Sequence, residues 1–205
     1  MLPEVVAQVL SSPVRLHSSR LVCIDGRAGA GKTSYAAELA AACRVAASAP
    51  VTTVHMDDLY EGWSGLPGVA EVVWSMLVNR WSRGLDARPA MWDWDARRRS
   101  SPTAIPLTPL VILEGAGSYA RRYDHLLTTV TWLECPEPIR RRRALARDGA
   151  VFAPHWDQWA RDEERVHARE GTRARADITV HTGAGLTASG GTAPAQTSAP
   201  AGPAS

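Results

Sequence analysis

The chain has 205 residues, of which 45% are hydrophobic and 21% are charged, as in an ordinary soluble domain. Its formal net charge of +2 gives no reason to expect a nucleic-acid or membrane partner. No apolar run approaches the length of a membrane span, and the N-terminus lacks the pattern of a signal peptide. The three cysteines show no zinc-site spacing and are expected to be buried thiols. We therefore expect a cytoplasmic protein with one domain.

Segments typical of strands alternate with segments typical of helices along most of the chain. Apolar and β-branched runs predict five strands, at residues 20–25, 50–56, 109–115, 127–135 and 176–181. The spacing of apolar residues predicts helices at residues 3–10, from residue 32 onward, at 69–81, after Pro136 and at 154–169. This alternation predicts an α/β fold with three layers, in which a five-stranded parallel sheet is covered by helices on both faces.

The last part of the chain has a different composition from the rest. Residues 183–205 contain no charged or aromatic residue, and Leu186 is their only large aliphatic residue. Such a segment cannot bury enough apolar surface to offset the entropy of ordering it. We therefore expect a folded domain over residues 1–182 and a disordered tail over residues 183–205.

A phosphate-binding motif lies between the first predicted strand and the helix that follows it. Residues 26–33 read GRAGAGKT, which satisfies the P-loop pattern GxxxxGK[ST]. The backbone N–H groups of such a loop converge on phosphate oxygens, and the helix N-terminus favours negative charge. We expect Lys32 to reach the β- and γ-phosphates of ATP and the Thr33 hydroxyl to bind Mg²⁺. The expected ATP-binding residues are Gly26, Gly29, Ala30, Gly31, Lys32, Thr33 and Ser34.

Lys32 is the only lysine of the chain, whose other residues of these two basic types are all arginines. A planar guanidinium is broader than an ammonium and would not fit the same phosphate cradle. The retained lysine is therefore a further indication that the loop binds phosphate.

Other nucleotide-binding classes fit the sequence less well. A dinucleotide-binding fingerprint would need glycine or alanine where Ser34 stands. The guanine signature of GTPases, Asn-Lys-x-Asp, needs a second lysine, which this chain lacks. Mechanical ATPases usually end a hydrophobic strand with two acidic residues, whereas here Glu114 is followed by Gly115.

The chain carries a series of short motifs that resemble those of the uridine kinase and phosphoribulokinase group of P-loop kinases and come in the same order. After the phosphate loop come DDLY at 57–60, VILEG at 111–115, RRRRALARD at 140–148 and ADITV at 176–180. Together they cover about 160 residues, and the phosphate loop is the most specific of them. The resemblance implies a kinase with a helical lid, which uses ATP and Mg²⁺ to phosphorylate a hydroxyl of a small molecule.

The resemblance also implies roles for individual residues. Asp57 matches the family's base toward the acceptor hydroxyl, although aspartate is also a common helix cap. Glu114 matches a Mg²⁺ ligand at the end of a strand, so the expected metal-binding residues are Thr33 and Glu114. Arg140, Arg143 and Arg147 share one helix face and match lid arginines that close over the phosphates, although a solvated surface helix would show the same spacing. The expected catalytic residues are Lys32, Asp57, Arg143 and Arg147, and the resemblance adds Arg140 to the expected ATP-binding residues.

The sequence departs from the family where the acceptor would be recognised. Residues 60–66 and 91–99 replace the segments that would read a nucleobase, so the candidate substrate residues are Asp58, Tyr60, Trp63, Trp92 and Asp93. A strand over MWDWD would place Trp92 and Trp94 on one face, where they could belong either to the core or to a pocket. The predicted acceptor is a nucleoside, with a sugar or another small alcohol as the alternative. A nucleotide-binding regulatory protein without turnover is the alternative from another class, and the oligomeric state stays open.

Overall fold

The computed structural model describes residues 2–183 and, for the backbone alone, residues 187–190. Its main sheet has six strands in the order β2–β5–β1–β6–β7–β8, and a separate two-stranded hairpin is formed by β3 and β4. The strands are β1 (Arg20–Gly26), β2 (Val51–His55), β3 (Trp92–Asp93), β4 (Arg98–Arg99), β5 (Leu110–Glu114), β6 (Thr129–Glu134), β7 (Ile178–His181) and β8 (Thr187–Gly190).

The helices cover both faces of this sheet. The α-helices are α1 (Leu2–Ser11), α2 (Lys32–Ala47), α3 (Val69–Val73), α4 (Asn79–Trp81), α5 (Glu137–Phe152), α6 (Trp156–Glu170) and α7 (Thr172–Arg175). A π-helical turn over Trp74–Val78 joins α3 to α4, so the helix predicted at 69–81 is continuous but not regular. None of the described helices is long and apolar enough to cross a membrane.

Alternation of side chains along the central strands produces two cores. In β1, Leu21 and Cys23 pack into the core on the side of α3, α4 and α6, whereas Val22 and Ile24 pack into the core on the side of α1 and α2. Every residue of β5 is buried, as expected for a strand covered on both faces. The five strands β2, β5, β1, β6 and β7 are parallel, so the predicted three-layer α/β fold is confirmed.

The edge of the sheet carries a strand that the sequence did not predict. β8 pairs antiparallel with β7, from Ile178 opposite Gly190 to His181 opposite Thr187. Its sequence, TASG, has little β propensity, and only the free edge of β7 provides it with partners. The predicted disordered tail otherwise lies outside the described residues, apart from Gly183.

Residues 84–109 are mostly irregular, as predicted, but they are tied to the domain at defined points. Ala87 and Ile105 form an isolated antiparallel bridge. The short hairpin of β3 and β4 pairs Trp92 with Arg99 and Asp93 with Arg98. The strand stops at Asp93, so the strand alternation expected for Trp92 and Trp94 does not extend to Trp94.

Candidate active site

The site lies where the carboxyl ends of β1, β2 and β5 meet, the edge at which open α/β sheets bind ligands. β1 leads into the phosphate loop, β2 leads into a 3₁₀ turn over Met56–Asp58, and β5 ends at Glu114. β5 pairs with both neighbours, so Glu114 stands opposite Ile24 on one side and His55 on the other. The parallel register therefore brings together residues that are far apart in sequence.

The phosphate loop has a backbone that requires glycine at two of its positions. Gly26 has φ +147°, and a Cβ there would lie 2.6 Å from the Leu133 carbonyl oxygen. Gly29 has φ +77°, and a Cβ there would lie 2.2 Å from the Arg140 carbonyl oxygen. The loop is therefore pressed against β6 on one side and against the first turn of α5 on the other.

We expect Gly29→Ala to lower the melting temperature by several degrees and to abolish ATP binding. The added Cβ would clash with the Arg140 backbone, and neither the phosphate loop nor the first turn of α5 is free to move away. Thermal unfolding and calorimetry with ATP would measure the two effects. Gly68→Ala is the matched control, because Gly68 has φ −98° and open space around its Cβ position. Equal behaviour of the two variants would contradict the close packing of the loop against α5.

Lys32 opens α2 and turns back over the loop. Its side chain is largely buried, and Nζ donates a hydrogen bond to the Arg27 carbonyl oxygen at 3.0 Å. The next residue, Thr33, donates from Oγ1 to Glu114 Oε1 at 3.1 Å. The structure thus places the two predicted residues of the loop beside the predicted carboxylate of β5.

Glu114 is buried and has a second partner that the sequence analysis did not identify. His55 Nδ1 lies 2.5 Å from the same oxygen, Oε1, at the end of β2. Hydroxyl and carboxylate oxygens are the donors that Mg²⁺ prefers, and this ion usually takes only one or two protein ligands beside phosphates and water. The donors Thr33 and Glu114 therefore fit Mg²⁺. Within the described residues no group of three or more His, Cys, Asp and Glu side chains could hold a metal ion.

Asp57 lies in the turn after β2, close to the loop. Loss of solvation raises the pKa of its carboxyl, although the side chain is accessible to solvent, and the Lys32 ammonium opposes this shift. The charges of Glu114 and Arg147 also act on it. No hydrogen bond to the Asp57 carboxylate is found within the described residues, so this side chain does not cap a helix. Trp94 Nε1 donates to the Asp57 carbonyl oxygen at 3.0 Å and fixes the backbone there.

Asp58 is half-buried beside Asp57. Burial raises the pKa of its carboxyl, and the nearby His55 opposes the shift. The charge of Glu114 acts on it in the same direction as burial. The two neighbouring aspartates therefore experience different surroundings, since Lys32 acts on Asp57 and His55 acts on Asp58.

The three predicted lid arginines have three different environments. Arg140 is buried and donates to the Cys135 and Ala28 carbonyl oxygens at 3.0 and 3.1 Å, so it holds the back of the loop. Arg143 donates to the Thr182 carbonyl oxygen at 2.8 Å. Arg147 is the one whose charge acts on both Asp57 and Glu114, and it makes a two-pronged pair with Asp148 at 2.8 and 2.7 Å.

Aromatic residues on the acceptor side are already packed against one another. Trp63 stacks on Phe152 and His155 with ring centroids 5.2 and 4.6 Å away, and Trp94 packs at 4.8 Å. Trp63 and Trp94 are both packed against the core. The question that the sequence left open for Trp94 is thereby decided in favour of the core.

The other candidate substrate residues differ in how freely they could meet a ligand. Tyr60 is buried, and its hydroxyl donates to the Ala116 carbonyl oxygen at 2.6 Å. Asp93 Oδ1 accepts from the backbone N–H groups of Asp95 and Ala96, which stabilises the hairpin turn. Trp92 stays half-buried, with the Arg99 guanidinium 5.9 Å from its ring.

Sequence analysis missed a buried carboxylate at the end of β1. Asp25 Oδ1 accepts from the N–H groups of Gly26 at 2.7 Å and Gly117 at 3.0 Å, and Oδ2 accepts from Tyr119 at 3.1 Å. His167 Nε2 lies 3.1 Å from Oδ1. Asp25 thus ties the start of the phosphate loop to the segment after β5. An acidic residue at the end of an apolar strand was the available signal, as it was for Glu114.

The strand order and the GxxxxGKT loop between β1 and α2 define a P-loop nucleotide-binding fold. No protein-family model and no curated protein sequence matches the chain at a significant level. Solved structures do match it over most of its length.

One is a protein named as a possible uridine kinase from Bacillus stearothermophilus, with 18% identity, a TM-score of 0.65 and coverage of 87% of this chain and 96% of that one. A protein assigned as a fructose transport system kinase from Silicibacter sp. TM1040 has 19% identity, a TM-score of 0.61 and coverage of 87% and 98%. D-glycerate 3-kinase from Cryptococcus neoformans has 12% identity, a TM-score of 0.57 and coverage of 92% and 99%. These matches confirm, at the level of the fold, the resemblance to the uridine kinase and phosphoribulokinase group.

Proposed function

We propose that the protein is an ATP- and Mg²⁺-dependent kinase that transfers the γ-phosphoryl group to a hydroxyl of a small molecule. A fold by itself does not specify a reaction, so the proposal depends on the site. The observation that carries it is the meeting of Lys32, Asp57 and Glu114 at one end of the sheet, where the charges of Lys32 and Glu114 both act on Asp57. An ammonium for phosphate, a carboxylate for a hydroxyl proton and a carboxylate for Mg²⁺ are the groups that phosphoryl transfer requires.

In this proposal Thr33 and Glu114 hold Mg²⁺, which would neutralise charge on the phosphates. Lys32 binds the β- and γ-phosphates of ATP. Asp57 accepts the proton of the acceptor hydroxyl. The oxygen of that hydroxyl bonds to the γ-phosphorus, while the bond from the γ-phosphorus to the β–γ bridging oxygen breaks and ADP leaves. The raised pKa of the Asp57 carboxyl supports this role, because it makes the carboxylate a better proton acceptor.

The acceptor that we propose first is a nucleoside, and the alternatives are a sugar or another small alcohol. The structural neighbours named above are a possible uridine kinase, a protein assigned as a fructose transport system kinase and a D-glycerate 3-kinase, which support a small hydroxyl compound without selecting one. Trp63 is occupied by Phe152, His155 and Trp94, so Trp92 is the aromatic candidate left to stack on a base. Asp58 is the polar candidate beside the proposed base.

The direct test is ADP release by the purified protein with ATP, Mg²⁺ and a panel of nucleosides, sugars, hydroxy acids and aminoglycosides. We expect release above the acceptor-free background with one chemical class. ATP binding without ADP release for any class would instead favour a regulatory protein without turnover. The panel thus separates the proposed enzyme from the alternative of another class.

We expect Arg147→Ala to lower kcat on the order of tenfold while changing ATP affinity less, because lid closure matters most in the transition state. The effect should stay below the ~10²-fold of a removed oxyanion donor, since Arg147 is exposed and paired with Asp148. Steady-state kinetics beside calorimetry would measure both. Arg142→Ala is the control, being exposed on the same helix. If Arg147→Ala weakens ATP binding as much as it lowers the rate, Arg147 is a ground-state contact.

A further inference from the structure

One peptide unit of the phosphate loop is held from both ends. The carbonyl oxygen of the peptide between Arg27 and Ala28 accepts a hydrogen bond from Lys32 Nζ at 3.0 Å. The N–H of the same peptide donates to Glu163 Oε1 at 2.6 Å. A single rigid plane therefore connects the lysine of the motif to a carboxylate on α6, since the peptide bond does not rotate.

Glu163 is an unusual acceptor for this N–H group because it is buried. Its residue exposure is 1%, and a buried carboxylate is costly unless it is paired and hydrogen-bonded. Burial raises the pKa of its carboxyl, and the charges of Lys32 and His167 and the Ala28 N–H oppose the shift. Hydrogen bonds to an ionised acceptor are about twice as strong as neutral ones, so this contact holds the peptide firmly.

The carboxylate is itself fixed in place from the acceptor side. Trp159 Nε1 donates to the same oxygen, Oε1, at 3.0 Å. The Trp159 ring packs edge-on against Tyr60, with centroids 4.9 Å apart, in the segment that follows Asp57 and Asp58. Glu163 thus stands between the phosphate loop and the packed residues behind the proposed base.

The residues on either side of the Arg27–Ala28 peptide are also held by contacts. Together with the hydrogen bond to Glu163, these contacts leave the peptide little freedom. The Ala28 carbonyl oxygen accepts from Arg140 Nη1 at 3.1 Å, and the Arg27 side chain pairs with Glu164. Without an acceptor on α6, the Ala28 N–H would be left unsatisfied, and the peptide could turn toward water or another acceptor. Its carbonyl oxygen would then no longer point at Lys32.

We infer that Glu163 is a positioning residue, which acts through the Arg27–Ala28 peptide to set the place of the Lys32 ammonium. Two hydrogen bonds to one peptide also polarise each other, which strengthens the hold on Lys32. The inference rests on the proposed function in one respect, namely that Lys32 binds the phosphates of ATP. It assigns Glu163 no contact with ATP or with the acceptor.

The test is a double-mutant cycle on ATP affinity, measured by calorimetry with Mg²⁺ on the full chain. The four proteins are the unchanged protein, Glu163→Gln, Lys32→Ala and the double variant. We expect Glu163→Gln to weaken ATP binding about tenfold in the unchanged background and less than about twofold when Lys32 is already absent. Asp157→Asn is the control, since it removes one exposed carboxylate from the same helix and should leave ATP affinity within about twofold.

Glu163→Asp is a second variant, which keeps the charge but withdraws the oxygen by one methylene. We expect it to weaken ATP binding about as much as Glu163→Gln, because both changes weaken the same hydrogen bond to the Ala28 N–H: aspartate withdraws the accepting oxygen, and glutamine removes the charge that strengthens the bond. Melting temperatures of all variants report whether the fold is retained. The expected coupling to Lys32 would not arise from a general loss of stability.

Distinct outcomes separate this inference from the proposed function. If Glu163→Gln weakens ATP binding equally with and without Lys32, Glu163 does not act through Lys32 and the inference is overturned. Tighter ATP binding by Glu163→Gln would overturn it as well, since the carboxylate would then act by repelling phosphate. If the unchanged protein does not bind ATP, the proposed function fails and the inference fails with it.

Discussion

Lys32→Ala is expected to lower turnover by at least ~10²-fold, because it removes a positive charge aimed at the phosphates of ATP. Lys32→Arg should not restore the rate. The Lys32 side chain is largely enclosed, with 9% exposure, and its ammonium is held by the Arg27 carbonyl oxygen at 3.0 Å. A planar guanidinium is wider than this place allows and would have to displace the loop backbone. The measurement is steady-state turnover with the acceptor that the panel identifies.

A reverse exchange on the same helix provides the control for Lys32→Arg. Arg44 lies near the end of α2 and is exposed, and its guanidinium is 3.5 Å from the Val51 carbonyl oxygen. We expect Arg44→Lys to leave turnover unchanged, because the residue is remote from the phosphate loop. Near-normal turnover of Lys32→Arg would contradict the interpretation that the single lysine is retained for its compact charge.

Asp57→Asn is expected to lower turnover by ~10²- to 10⁴-fold, the usual range for a general base, while ATP affinity stays within a few-fold. The substitution keeps the shape of the side chain and removes its capacity to accept a proton. ATP affinity should change little, because Asp57 is proposed to meet the acceptor hydroxyl and not the nucleotide. Turnover on the identified acceptor and calorimetry with ATP would measure the two quantities.

Asp58→Asn is the matched control for Asp57→Asn, since the same change is made one residue further along the same turn. We expect a smaller loss, because the charge of Lys32 acts on Asp57, whereas the charge of His55 acts on Asp58. An active Asp57→Asn beside an inactive Asp58→Asn would mean that the assignment of the base is wrong by one residue. Full activity of both variants would refute the kinase mechanism.

The sequence determined the fold because its signals are local. The GxxxxGKT loop needs glycines between a strand and a helix, and the structure has them between β1 and α2. Runs of β-branched and apolar residues mark the five parallel strands, whose ends differ from the predicted ones by a few residues. The carboxylate of Glu114 also follows from sequence, since an acidic residue that ends a buried strand needs a partner.

The contacts of the arginines and tryptophans could not be predicted from the sequence. Residue spacing predicts which side chains share a helix face, but it does not predict which residues that face contacts. Arg140, Arg143 and Arg147 share a face, yet Arg140 contacts the phosphate loop backbone and Arg143 contacts Thr182. The Trp63 ring could stack on a planar ligand, but Phe152, at the end of α5, already stacks on it. Contacts of this kind depend on how α5 and α6 pack against the sheet.

The sequence by itself thus determined the P-loop, the parallel strands and some of the residues at their carboxyl ends, such as Glu114, because each of these follows from backbone requirements and burial within a short segment. The tertiary structure decided which side chains support them. Glu163 stands far from the phosphate loop in sequence, and its helical segment reads as an amphipathic surface helix. Only the packing of α6 over the loop brings its carboxylate to the Ala28 N–H, because hydrogen bonds between distant segments depend on the relative placement of whole elements.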